Sequence, residues 1–165
     1  MVLALLTGLV AIAAASVAER APQRGAIWTI GAIAILLRLY LLFTEPLLST
    51  DIYRYVWDGL VQAAGINPYR YVPADEALAF LRDNSVYANI NRADYAVTIY
   101  PPVAQMFFFL AIRIGASVTV MKLAFVGCEA VTVAMIVLLL RRIGRPAARI
   151  VAYALAPAAA MGDRQ

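Results

Sequence analysis

The sequence predicts an all-α fold: a polytopic transmembrane helical protein with a large extracytoplasmic loop that contains juxtamembrane helices. Composition is the first observation. Hydrophobic residues make up 64% of the 165 positions and charged residues 15%, against roughly half and a quarter in ordinary globular domains. The second is clustering, because the apolar residues gather into long runs at 2–18, 26–44, 119–140 and 150–161. The third is charge segregation. Residues 45–98 carry Glu45, Asp51, Asp58, Asp75, Glu76, Asp83 and Asp94 against Arg54, Arg70, Arg82 and Arg92, whereas "RRIGRPAAR" carries Arg141, Arg142, Arg145 and Arg149 with no acid.

Several function classes drop out at once. The net charge of +4 is dispersed over loops and helix ends, so no nucleic acid is expected and the arginines report orientation instead. With no histidine and Cys128 as the lone cysteine, a His-based metal site, a His-dependent triad and a thiolate zinc cluster are all excluded. Acid–base chemistry must come from Asp, Glu, Tyr or Lys.

The first run, 2–18, is about long enough to span. It ends in "SVA", which looks like a cleavage site, but it lacks a basic leader and a second run follows after only "ERAPQRG". It is read as a transmembrane helix. The run at 26–44 is a span interrupted by Arg38. The apolar stretch after "YPP", between Pro102 and Arg113, is only about half a spanning length. If it crossed the bilayer, the four-arginine loop would land beside the acidic loop. If it does not, the positive-inside rule places every loop consistently. Residues 45–118 are therefore expected to form one extracytoplasmic loop closed by a membrane-surface helix, followed by the spans 119–140 and 150–161. All of this forms a single multi-pass domain in the cell membrane.

Within the loop, residues 51–66 have helical periodicity, with Asp51, Tyr55, Asp58 and Gln62 on one face and Ile52, Val56, Leu60 and Ala63 on another. Ser49 or Thr50 can cap the start, and Gly65 with Asn67-Pro68 stops it. A second short helix is expected from Pro73, with Asp75 and Glu76 in its first turn. The two prolines of "TIYPP" open the surface helix and fix where Tyr100 and Gln105 lie.

Most candidate site residues read two ways. Asp51 is either a helix-start signal or an acid kept ionised by the helix dipole and able to take a proton. Arg54 and Asp58, four apart, either pair on a wet face or offer a fork to a phosphate. Arg38 either snorkels or binds a lipid phosphate, and Glu129 is either a functional intramembrane acid or a partner of Lys122. The strip Tyr53, Tyr55, Trp57, Tyr69, Tyr71 suits either a membrane interface or sugar rings.

"TDIYRYVWDG", "GINPY", "IYPPVAQ", a span and a basic "GRPAAR" loop, in that order, resemble the GT-C class of membrane glycosyltransferases. The closest likeness is to polyprenol-phosphate-mannose-dependent mannosyltransferases such as the bacterial alpha-mannosyltransferases and the GPI mannosyltransferase catalytic subunit. It extends over most of the chain, from about Arg38 to Pro157. The resemblance implies transfer of a mannosyl or related hexosyl group from a polyprenyl-phosphate-linked donor to a glycan or glycolipid acceptor, with Asp51 as general base. It further implies substrate contacts at Arg54, Asp58, Asn67, Tyr69, Tyr100 and Gln105, with membrane lipids around the site. Relatives often carry a second acid beside this one, where Ser49 and Thr50 stand here, so no cofactor is expected and a divalent cation has weak support. Relatives also have roughly twice or more as many spans, so the chain looks like an amino-terminal fragment, a truncated gene product, or a half that needs the rest of the enzyme as a partner. The rival expectations are a non-catalytic membrane protein whose acidic loop binds a glycolipid or partner subunit, and a transporter piece using Arg38 and Glu129.

Overall fold

The computed structural model of the protein describes residues 38–46 and 49–145, together with Ala32, Ile35, Leu36 and Ile150. The spans expected at 2–18 and 150–161, Ile150 apart, lie outside the described residues, as does most of that at 26–44. Among the described residues every regular element is a helix. Three are α-helices: α1, Asp51–Ala63; α2, Pro102–Ile114; and α3, Val118–Arg142. Two short 3-10 helices, Glu76–Leu81 and Tyr87–Asn89, lie between α1 and α2. The chain divides into two compact units, Glu45–Phe125 and the pair Met1–Thr44 with Val126–Gln165.

In the Glu45–Phe125 unit, α1 is the central element. Its start is set by the Ser49 hydroxyl, which accepts from the Asp51 backbone N–H at 3.1 Å, while Thr50 holds the N-cap position without a side-chain bond. Its end is a Schellman turn. The Ile66 N–H reaches the Val61 carbonyl at 3.1 Å and the Gly65 N–H the Gln62 carbonyl at 2.9 Å, with Gly65 left-handed at φ 76°. Val56, Trp57 and Val61 pack into a core with Leu78, Val86, Ile90, Phe108, Ala111, Ile112 and Met121. Each fully buried large apolar side chain there contributes roughly 1.5–3 kcal/mol.

α2 crosses α1 at Gly59. A Cβ placed there would lie 2.8 Å from both the Phe108 carbonyl oxygen and the Ile112 Cγ2, so the close approach depends on the missing side chain. One face of α2 buries Gln105, Phe108, Ala111 and Ile112. The other exposes Val103, Met106, Leu110 and Ile114, spaced to form one stripe. With 13 residues, α2 is about 20 Å long, too short to cross a bilayer core of about 30 Å.

The short helix expected from Pro73 starts at Glu76 instead. Asp75 is its cap and accepts from the Ala77 N–H at 2.9 Å, which places that acid before the first turn. Asp83 similarly collects the Val86 and Tyr87 N–H groups, at 2.8 and 3.0 Å, and the Ser85 hydroxyl. Slight burial would raise its pKa, but these donors outweigh it and the carboxyl lies below the usual range.

In the other unit, residues 38–42 are helical and Arg38 forms a two-pronged ion pair with Glu129 on α3, through Nε at 2.8 Å and through Nη2. α3 is the one described helix long and apolar enough to cross a membrane. It leaves Val131, Met135, Leu138 and Leu139 exposed, and Arg141 and Arg142 close its last turn.

Candidate active site

The candidate site is built where the start of α1 meets the segment leading into α2. Asp51, in the first turn of α1, is half-buried. Its Oδ1 accepts from the Asn91 side-chain amide at 3.3 Å. One turn along α1, Tyr55 stacks on Phe108 with ring centroids 4.7 Å apart, and Tyr100 stands edge-on to Tyr55 at 4.9 Å and to Phe108 at 5.6 Å. Asp51 thus lies close to an aromatic platform made by two helices and the Tyr-Pro-Pro entry. Both phenols register its charge. Burial first, then the negative charge of Asp51, pushes the Tyr55 pKa up, against a hydrogen bond with Tyr100 that lowers it. Tyr100 is pushed up further, by burial and then by Tyr55 and Asp51.

Tyr69 reaches the same segment from the far end of α1. The Asn67 side chain accepts from the Tyr69 N–H at 2.9 Å, a local turn that follows from Asn before Pro. The Tyr69 hydroxyl then donates to the Tyr100 carbonyl at 2.5 Å. Asn67 and Tyr69 are both exposed.

Arg54, Asp58 and Gln105 sit elsewhere, inside the protein. Asp58 is 1% exposed and Arg54 6%. The Arg54 Nε donates to Asp58 Oδ1 at 2.9 Å, and its Nη2 to the Ala96 carbonyl at 3.0 Å. Asp58 Oδ2 accepts from the Thr98 hydroxyl at 2.5 Å and the Gln105 amide at 2.8 Å. Gln62 closes the cluster by donating to Gln105 Oε1 at 2.8 Å. The pairing of Arg54 with Asp58 is as the spacing suggests, but it is not on a wet face. The polar side of α1 is turned inward because Thr98 and Gln105 are there to satisfy it, as buried polar groups require.

Asn91 and Thr98 are the site residues that sequence reasoning missed. Thr98 carried a faint signal, as the polar residue between Val97 and Ile99 in an extended run. Asn91 carried none beyond the Asn-rich turn "NINRADY".

A family model described as alpha-(1->6)-mannopyranosyltransferase, N-terminal domain, matches residues 1–161. The chain belongs to this family. Glycosyl transfer is accordingly the chemistry of this mannosyltransferase, and a sugar donor and a sugar acceptor are its substrates in general terms. Membrane association of the mannosyltransferase fits α3, the described helix of spanning length. Comparisons with curated proteins and with solved structures each return no match. Among the described residues no three His, Cys, Asp or Glu side chains gather as metal ligands. Among the described residues the donors at Asp51 are one carboxylate and an amide, fewer oxygens than a divalent cation usually recruits.

Proposed function

We propose that the protein transfers a mannosyl or related hexosyl group from a polyprenyl-phosphate-linked donor to an extracytoplasmic acceptor, with Asp51 as the general base. The observation that carries this reading is the contrast between the two acids of α1. Asp58 is enclosed, its charge matched by Arg54 and its oxygens occupied. Asp51 is half-exposed at the positive end of the helix dipole, close to Tyr55 and Tyr100, where an aromatic face suits a sugar ring.

In the reaction, Asp51 takes the proton of an acceptor hydroxyl as its oxygen attacks the anomeric carbon. The bond from that carbon to the lipid phosphate breaks on the opposite face, and the phosphate leaves already ionised, without needing a proton. Base and leaving group on opposite faces make this an inverting displacement. An alpha-linked product, as in the family description, therefore requires a beta-linked donor. Asn67, Tyr69 and Tyr100 are proposed as substrate contacts along the rim. Arg54, Asp58 and Gln105 are proposed to support the site from behind by fixing α1 on α2. The long apolar chain of the donor places the site at the membrane surface, on the outer side assigned by the charge distribution, with the stripe of α2 toward the lipid.

Asp51→Asn keeps the shape and removes the base. In the membrane-embedded protein, transfer from a polyprenyl-phosphate mannose donor is expected to fall by at least about a hundredfold. Transfer retained at the wild-type rate would sink the base assignment.

A further inference from the structure

Asn91 is forty positions from Asp51 and plays no part in the core or in the buried polar cluster. Its side-chain amide nevertheless reaches Asp51 Oδ1 at 3.3 Å, the loose end of hydrogen-bonding distance, which often tightens in a substrate complex. The backbone beside it is held in a costly shape. Arg92 is left-handed at φ 56°, the one such non-glycine among the described residues, a conformation that a side chain with a Cβ adopts only where its surroundings enforce it. Here they do. Ile90 is buried, the Ala74 N–H donates to the Ala93 carbonyl at 2.9 Å, and the Ala96 N–H to the Arg92 carbonyl at 3.1 Å.

We propose that Asn91 is a positioning residue for the transfer reaction, fixing the orientation of the Asp51 carboxylate by donating to Oδ1 and leaving Oδ2 for the acceptor hydroxyl. This rests on Asp51 being the base. Among the described residues, Asp51 accepts this bond at Oδ1 and none at Oδ2. A carboxylate held through one oxygen keeps its other lone pairs aimed in one direction. The charged and titratable groups around it are few. Tyr55 on α1 and Tyr100 before α2 both titrate above their ordinary range, so they stay neutral where a carboxylate titrates. Arg54 is matched by Asp58, and Arg92 and Asp94 are exposed in the Asn91 turn itself.

Asn91→Asp replaces the donor with an isosteric like charge at an exposed position. In the membrane-embedded protein, the acid limb of kcat/KM for mannosyl transfer is expected to move up by about one pH unit. At neutral pH kcat is expected to fall several-fold while KM for the donor holds. Asn91→Ala lowers kcat with a smaller shift, and Asn91→Gln, which restores an amide, recovers part of the rate. An unmoved acid limb in Asn91→Asp overturns the assignment, whether or not thermal stability changes. The Asp51→Asn measurement separates the two ideas. Lost transfer there with an unmoved limb in Asn91→Asp removes only the role of Asn91, whereas retained transfer in Asp51→Asn removes both.

Discussion

At the residue scale, two aspartates seven positions apart on one helix have opposite fates, and the difference lies in what the rest of the chain brings to them. Asp58 meets Arg54, Thr98 and Gln105, and its two oxygens are saturated in a nearly water-free setting. Removing its charge leaves the Arg54 guanidinium buried without a counter-charge. Asp58→Asn is therefore expected to destabilise the folded protein by about 3 kcal/mol, read as a lowered unfolding midpoint in detergent. Replacing Arg54 and Asp58 together with apolar residues is expected to do less harm than Asp58→Asn alone. The position of Asp51 was legible from sequence, since Ser-Thr-Asp before an amphipathic run marks a helix start. The burial of Asp58 was not. Periodicity put Asp58 and Gln62 on a polar face, and a polar face ordinarily means water. Thr98 and Gln105 reverse that meaning from forty and forty-seven residues away, and no local pattern announces them. Asn91 was illegible for the same reason, because only the tertiary contact distinguishes it from any other turn asparagine.

At the element scale, the crossing of α1 and α2 determines the geometry behind the site. Gly59→Ala would push a methyl group against the Phe108 carbonyl oxygen and the Ile112 side chain at 2.8 Å. The side chain can rotate aside; the backbone oxygen cannot. The substitution is expected to cost about 1–3 kcal/mol, visible as a thermal midpoint several degrees lower. Residual transfer activity in Gly59→Ala should fall further than folded protein does, because the tyrosine platform is shared between the two helices. Helix punctuation in this region was readable: the glycine stop of α1 and the double-proline start of α2 fall where their chemistry predicts. The first 3-10 helix was not placed correctly from Pro73, because Asp75 spends its side chain on capping Ala77 and so stays outside the helix it begins.

At the scale of the whole molecule, the helical character of the described residues was legible from composition and run length, and the tie between Arg38 and Glu129 was not. Each was visible as an isolated charge in an apolar run, and nothing in the sequence pairs residues ninety-one positions apart. Two charges set in apolar helical segments are tolerable only in each other's company. Glu129→Gln or Arg38→Gln alone is expected to reduce the yield of folded protein several-fold in membranes. The exchange Arg38→Glu with Glu129→Arg is expected to restore much of that yield. The polar cluster behind the site has a further consequence, for the order of assembly during synthesis. Arg54 and Asp58 are one helical turn apart, so they can pair as soon as α1 forms, whereas Thr98 and Gln105 are made about forty residues later. A local ion pair closes almost no loop, and the later partners pay only a slowly growing closure entropy. A nascent α1 can thus hold its acid already neutralised, and wait in that state for the segment that will enclose it.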